Sequence, residues 1–188
     1  MKVTPLGIPD VLLIELRIFE DARGFFFESF REDIFRKETS LNVSFAQENH
    51  SKSSEGVFRG LHYQMPPHAQ GKLVRVIEGE VLDIVVDIRQ SSPTCGQYIT
   101  EILSSDNKKQ LYIPEGFAHG FLTLSTTSEF LYKTTDFYHP ESERCILWND
   151  PTLNIKWPEN MKIKLSAKDL LGQSFKLSEL FPVNSRLL

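Results

Sequence analysis

Hydrophobic and polar positions alternate in short runs through the middle of this chain, with turn-forming residues between them. Residues 73–77, 81–88, 98–103, 110–113, 120–124 and 129–134 are rich in branched and aromatic side chains, which suit a pleated surface. They are separated by Glu78-Gly79-Glu80, Ser91-Ser92-Pro93-Thr94, Ser104-Ser105-Asp106-Asn107 and Ser125-Thr126-Thr127-Ser128. Such residues turn the chain through glycine's backbone freedom or through side-chain bonds to the local backbone. Short strands at regular spacing predict a β-sandwich or barrel. The 81–88 stretch alternates imperfectly, with Asp83 and Asp87 set among six aliphatic residues. A core strand packed on both faces, with polar side chains directed into a cavity, has this pattern.

The flanks are less regular. Residues 11–19 read as an extended apolar segment ending at the turn Glu20-Asp21-Ala22-Arg23-Gly24, followed by a strand at 25–30 and another at 43–47. Residues 31–39 place Ile34 and Phe35 among charges, which predicts one short helix with little capping support. Towards the C-terminus, Trp148-Asn149-Asp150-Pro151 and Ile155-Lys156-Trp157-Pro158 read as loops. A helix is expected to open at Ser166, with Ser166 as N-cap and Asp169 at the capping-box position. No repeat or long linker divides the chain, so residues 1–188 are expected to form one domain.

Composition sharpens this picture in a few respects. Fourteen phenylalanines in 188 residues strengthen the sheet reading. A formal net charge of −4 argues against a general nucleic-acid binder, although local basic clusters can still hold phosphate. Cys95 and Cys145 match no zinc or redox spacing and read as buried free thiols, consistent with a reducing compartment. The apolar run at 11–14 is too short for a signal peptide, and no stretch approaches a membrane span. A soluble cytoplasmic protein without membrane association is the expectation.

The candidate chemistry centres on R-G-L-H-Y-Q at 59–64 and on Lys72. This region resembles the first metal motif of a cupin barrel with its metal chemistry removed. His62 stands for the first histidine, Gln64 replaces the second, and Lys72 occupies the carboxylate position ahead of Gly79. The second cupin motif is intact as P-E-G-F-A-H over 114–119, ending in His119. An ammonium placed where a cation would need an anion repels metal and attracts negative charge. Acid–base chemistry on an anionic substrate is the expectation, with imidazole suited to proton transfer near neutral pH.

Further strings extend the likeness, from about residue 10 to about residue 170: D-A-R-G-F-F-F-E, Q-E-N-H-S-K-S, Q-G-K-L-V-R-V, G-E-V-L-D-I-V-V-D-I-R, L-Y-K-T-T-D-F-Y, W-N-D-P and S-A-K-D. Together they resemble the RmlC-type nucleotide-sugar epimerases, the dTDP-4-dehydrorhamnose 3,5-epimerases in particular. The resemblance implies an all-β cupin jelly-roll barrel with a few short peripheral helices. It also implies a homodimer with exchanged N-terminal strands and no metal or cofactor. The implied substrate is a nucleoside-diphosphate 4-keto-6-deoxyhexose. His62 is then the candidate base, with Asp169 fixing its tautomer, and Tyr132 is the candidate acid on the opposite face. Lys72 and His119 are candidates for the enolate oxygen and neighbouring hydroxyls, because positive charge in a partly desolvated pocket stabilises developing negative charge. Arg23, Arg59 and Lys168 are expected on the anion and nucleotide. Glu28, Gln47, Asn49 and Glu143 match further substrate-binding positions of the family, and Tyr138 is expected to border the sugar or nucleotide. Arg23 and Glu28 could serve the partner's site.

Several polar residues fit no constellation. His50 and His139 read as loop residues, His68 as solvated, and Asp83 and Asp87 either as barrel lining or as structurally paired groups. Three competing functions remain open at the level of sequence. One is an epimerase acting on a single carbon, on a GDP-linked sugar or on a heptose. Another is a metal-dependent cupin, which normally needs three or four His or carboxylate ligands. The last is a non-catalytic sugar-nucleotide-binding cupin, which would need no acid–base pair.

Overall fold

The computed structural model describes residues 1–182. Two facing sheets carry the fold. The larger contains β1 (Lys2–Pro5), β2 (Leu12–Glu15), β5 (Gln47–Ser54), β7 (Lys72–Glu78), β10 (Gln110–Ile113) and β12 (Thr127–Thr134), in the order β1-β2-β10-β7-β12-β5. The smaller contains β6 (Phe58–Gln64), β8 (Glu80–Asp87), β9 (Tyr98–Ser104), β11 (Phe117–Thr123) and β13 (Glu143–Cys145), in the order β13-β6-β11-β8-β9. A separate hairpin pairs β3 (Phe19–Asp21) with β4 (Gly24–Phe26). The helices are short: α1 (Glu32–Thr39) and α2 (Ala167–Leu170). This is the expected all-β cupin-type barrel with few peripheral helices.

Strand parity assigns each side chain to one of three packing regions. On β8, Val81 and Val85 point between the sheets with Asp83, while Ile84 and Val86 pack on the outer face. The inner cluster also takes Val74, Val76, Leu111, Ile113, Phe117, Phe121 and Phe130. A second cluster, including Phe58, Leu61, Tyr63 and Ile146, covers the outside of the smaller sheet with the C-terminal segment. The third places α1 against the larger sheet, with Phe35 buried against Ile14, Leu73 and Tyr112. Core strands buried on both faces explain the near-continuous hydrophobic runs at 81–88.

The flanks depart from expectation for identifiable reasons. The apolar segment at 11–19 breaks into β2 and β3, and the strand expected over 25–30 shrinks to β4, with Phe25 and Phe26 exposed. Phe30 and Phe45 instead pack at the ends of irregular segments against Phe35. The strand expected over 43–47 lies one segment later, as β5. Its inward side chains are polar because they line a cavity, so no hydrophobic alternation announces it. The helix expected from 31 runs over Glu32–Thr39 and has no side-chain cap, and Ser166 does cap α2. Both cysteines are free thiols, half-buried rather than buried.

The R-G-L-H motif depends on glycine for a packing reason. Gly60 has φ of +138°, and a Cβ there would lie 2.6 Å from Gly120 Cα and 2.8 Å from His119 O. The backbones of β6 and β11 therefore meet almost without side chains, which sets His62 opposite His119 in the ladder. We expect Gly60→Ala to cost at least about 2 kcal/mol of unfolding free energy, through strain and forced strand separation. Urea denaturation checks this; a loss below about 0.5 kcal/mol would mean the strands can part freely.

Candidate active site

The inner end of the barrel opposite the apolar cluster is hollow. A cavity of about 440 Å³ is lined by Gln47, Asn49, Arg59, His62, Gln64, Gln70, Lys72, His119, Tyr132, Tyr138, Glu143, Lys168 and Asp169, among others. The larger sheet contributes Gln47, Asn49, Lys72 and Tyr132; the smaller contributes Arg59, His62, Gln64, His119 and Glu143. His62 and Tyr132 thus project from facing walls into one space.

His62 is the most tightly prepared of these residues. Its Nε2 lies 2.7 Å from Asp169 Oδ1, and a carboxylate acceptor there places the ring proton on Nε2. Nδ1 then carries the lone pair, with no hydrogen-bond partner among the described residues. Asp169 is itself locked: its Oδ2 accepts from Ser166 Oγ at 2.7 Å, and its amide donates to the same hydroxyl. Burial would raise the Asp169 pKa, but bonds from His62 and Ser166 outweigh it and leave the carboxyl more acidic than usual. The α2 N-cap thus doubles as the mount for the residue that orients His62.

Lys72 is 8 % exposed, at the start of β7, and its ammonium donates to His62 O at 3.3 Å. Burial lowers its pKa to about 8, against the opposing pull of Asp83 and Glu143. His119, also buried, points Nε2 at both oxygens of Asp83 at 2.9 and 3.0 Å. Its pKa is lowered, chiefly by burial and further by Lys72 and His62, despite the Asp83 carboxylate. Desolvation wins because the ring is fully enclosed. Asp83, left open between lining and structural roles, is thus the partner of His119; Asp87 is the structural one, bound by Arg89, Ser92 and Thr94.

Tyr132 is partly buried, and its phenol makes no hydrogen bond to the described residues. Burial raises its pKa, so the hydroxyl stays protonated and able to donate. Arg59 is held by Ser53 Oγ at 3.0 Å and Lys52 O at 3.1 Å, with no carboxylate in ion-pair contact among the described residues. Its charge is therefore available to an anion. Lys168 is paired with Glu143, which also accepts from Tyr138 Oη at 2.6 Å. These bonds hold the Glu143 carboxyl more acidic than usual against the effect of burial. Gln47 donates to Asn49 at 2.8 Å.

Two expected residues lie elsewhere in this chain. Arg23 sits on the exposed β3–β4 hairpin, paired with Asp21, beside a shallow hollow lined by Phe19, Phe25 and Phe26. Glu28 contacts Arg31 at 3.5 Å. Neither lines the cavity. His50 is a strand residue paired with Glu129, not a loop residue. His68 is half-buried rather than solvated: it bonds Asp136 and stacks on His139 at 3.4 Å. Residues 68, 136 and 139 could group around a cation, as could His62, Cys145 and Asp169. In the first group the rings are within 15° of parallel, so their lone pairs do not converge without rotation. In the second, burial raises the Cys145 thiol to about 12, disfavouring the thiolate a metal needs. Sequence reasoning gave Gln64 no task beyond replacing a ligand, gave Ser166 only that of a helix cap, and passed over Ser53 and Gln70. The parity of Asp83 with Val81 and Val85 is a signal for its position between the sheets, where it meets His119.

Comparison with known proteins identifies the family. Residues 5–176 match the family model described as dTDP-4-dehydrorhamnose 3,5-epimerase. The chain belongs to this family. A family member from Pseudomonas aeruginosa is 57 % identical over 182 residues, covering 97 % of this chain and all of that protein. One from Shigella flexneri is 54 % identical over 96 % of this chain and 99 % of its own length. The crystal structure of dTDP-6-deoxy-D-glucose-3,5-epimerase RmlC from Legionella pneumophila in complex with dTDP-4-keto-L-rhamnose superposes with a TM-score of 0.93, at 46 % identity, covering 96 % of this chain and 97 % of that one. The 3'-monoepimerase ChmJ from Streptomyces bikiniensis, in complex with dTDP-quinovose, reaches 0.90 at 31 % identity, covering 97 % and 92 %. The curated relatives of this epimerase family are isomerases.

The burial of Lys72 generates a stability prediction. An ammonium whose folded pKa falls from 10.5 to about 8 is a group for which unfolding restores basicity. Its cost is fully present below pH 8 and disappears as pH rises past 10.5, so wild-type stability should gain on that of Lys72→Met across this window. At pH 7 Lys72→Met should be more stable by up to about 3 kcal/mol, while losing at least about a hundredfold in turnover. Denaturant titrations at pH 7 and pH 10 check the sign. A Met variant less stable than wild type at pH 7 would mean the lysine is a net structural asset.

Proposed function

We propose that this chain inverts C3 and C5 of a dTDP-linked 4-keto-6-deoxyhexose, converting dTDP-4-dehydro-6-deoxyglucose to dTDP-4-dehydrorhamnose. The observation that carries this is the placement of His62 and Tyr132 on facing walls of one cavity in a chain of this family. Epimerisation needs that arrangement: a proton leaves one face of the sugar ring and a different proton returns to the other.

In the proposed mechanism the ketone at C4 acidifies the hydrogens on C3 and C5. His62 Nδ1 removes one of them, and Asp169 stabilises the imidazolium that results. The C–H electron pair moves into the ring, and the ketone oxygen becomes an enolate oxygen. Lys72 and His119 face that developing charge in a desolvated space, where it is stabilised far more than in water. Tyr132 then donates its phenolic proton to the opposite face; an enolate is basic enough to accept from a phenol. Arg59 and Lys168 bind the diphosphate. Gln47, Asn49 and Glu143 bind hydroxyls or hold these cations, and Tyr138 borders the nucleotide. None of these steps calls for a metal or cofactor. We also propose a homodimer, in which the exposed hairpin bearing Arg23 and the adjacent Glu28 reach the partner's cavity. The exposed rings of Phe19, Phe25 and Phe26 support this. Cytoplasmic placement fits a sugar-nucleotide substrate, and no helix among the described residues is long and apolar enough to cross a membrane.

NMR of dTDP-4-dehydro-6-deoxyglucose in D2O tests the reading. Wild type should incorporate deuterium at both C3 and C5 and give inverted product. His62→Ala should lose both by at least about a thousandfold, whereas Tyr132→Phe should retain exchange but lose inversion, because His62 can return deuterium only to the face it left. Exchange at a single carbon would make the chain a mono-epimerase, and exchange only with GDP-linked or heptose analogues would reassign the substrate. Absence of exchange with any of these would reject the reading.

Activity should also survive exhaustive chelation. Loss of turnover restored by added divalent metal would overturn the proposed chemistry.

A further inference from the structure

Three glutamine side chains converge on one short stretch of backbone at the cavity mouth. Gln70 Nε2 donates to Asp136 O at 2.8 Å and to Phe137 O at 3.1 Å. Gln64 Nε2 donates to Phe137 O at 3.1 Å and to His68 O at 2.6 Å. The Tyr138 amide donates to Gln47 Oε1 at 3.0 Å, and the His139 amide to Gln64 Oε1 at 2.8 Å. Four successive residues are thus fixed by side chains from β5, β6 and the β6–β7 connection rather than by a strand ladder. A primary amide is suited to this, because one group both donates and accepts.

A buried glutamine is ordinarily satisfied by core backbone, and Gln64 at 4 % exposure could be read that way. The clipped segment is not core, however: Phe137 and Tyr138 are 59 % and 49 % exposed. Its ends have other ties, from Thr134 Oγ1 to Asp136 O, from His68 to the Asp136 carboxylate and the His139 ring, and from the Ser142 amide to His139 O, but among the described residues only the glutamines bond the Phe137 carbonyl and the Tyr138 amide. What the segment carries is the Tyr138 ring, placed beside Lys168 at 5.7 Å and bonded through its hydroxyl to Glu143.

We propose that Gln64 is a positioning residue which, with Gln47 and Gln70, fixes Tyr138 for the nucleotide end of the substrate. It controls affinity rather than proton transfer. This rests on the functional reading above, which assigns Tyr138 to the nucleotide. Gln64 stands where a cupin would carry its second metal-binding histidine, so the lost ligand position now holds the rim of the cavity.

The test uses Gln64→Met, close to isosteric but unable to form any of these bonds. KM for the sugar nucleotide and Kd for dTDP by calorimetry should rise about tenfold or more, with kcat reduced no more than about threefold. In a Tyr138→Ala background the same substitution should change Kd for dTDP by less than about twofold, because a residue acting through Tyr138 has nothing left to position. Exchange of the His139 amide should quicken at least about tenfold in the free protein. Additive losses, a fall in kcat at unchanged KM, or unchanged exchange would each overturn the proposal. Gln70→Met, nearer the surface, should give the same pattern more weakly and serves if the Gln64 variant does not fold. If wild type fails to bind dTDP the functional reading fails, and the exchange measurement alone then decides whether the clip exists.

Discussion

A lysine ammonium held inside a β-barrel is the constraint around which this site is organised. A buried charge is costly unless nearby groups compensate it. Here Asp83 and Glu143 supply opposing field at Lys72. Both are committed elsewhere, Asp83 to His119 and Glu143 to Lys168 and Tyr138. Asp169 is likewise held by His62 and Ser166. Each of these three acids thus has its own hydrogen-bonded partner, while Lys72 and Arg59 have no carboxylate in ion-pair contact among the described residues. Three cations, Arg59, Lys72 and Lys168, match these three acids in number, but the pairing leaves Lys72 and Arg59 without a carboxylate of their own. An anion entering the cavity would supply what the protein withholds, and in the proposed mechanism the cost of burying Lys72 is returned as stabilisation of the enolate.

Strand parity distributes this chemistry without disturbing the core. Lys72 shares a face of β7 with Val74 and Val76, His119 shares one of β11 with Phe117 and Phe121, and Tyr132 shares one of β12 with Phe130. On β11 His119 lies between Phe117 and Phe121, and Tyr132 of β12 pairs with Val74 of β7, so polar and apolar positions adjoin each other along these faces. The stacked rings of Phe121 and Phe130, 4.0 Å apart, form the floor between the two regimes. A slip of one residue in any of these strands would send the functional side chain to the outer face. The close contact of Gly60 with Gly120 therefore matters beyond packing, because it fixes β6 against β11 where His62 and His119 are paired.

This division also explains what could be read from sequence. The central strands were legible because both faces are apolar, and Ser166 was legible as a cap because its spacing to Asp169 is local. β5 was not: Gln47, Asn49 and Ser51 face the cavity and the alternate residues face outward, so no hydrophobic period exists to detect. The aromatic segments at 25–30 and 43–47 misled for the opposite reason. Their rings pack from irregular backbone onto α1 or stay exposed on the hairpin, and hydrophobicity alone does not distinguish those fates from a strand. His62, Lys72, Tyr132 and Asp169 were recognisable from motif resemblance, and the cavity brings them together. The partnership of Asp83 with His119 depends on register between β8 and β11, which no local pattern encodes.

The two lost metal-ligand positions have diverged differently, one to a cation and the other to a neutral amide, which in the proposed reading separates chemistry from binding. A metal site would use both positions as donors to one ion, so neither could change alone. Here the carboxylate position carries a positive charge on the cavity wall. The second histidine position carries a neutral amide that turns away, to His68, Phe137 and His139. Neutrality matters at that point. A carboxylate in place of Gln64 would face two backbone carbonyls, and a cation could not accept from the His139 amide. The amide alone meets both demands, so the rim carrying Tyr138 can be held without adding charge to a cavity whose positive potential is already set by Lys72 and Arg59.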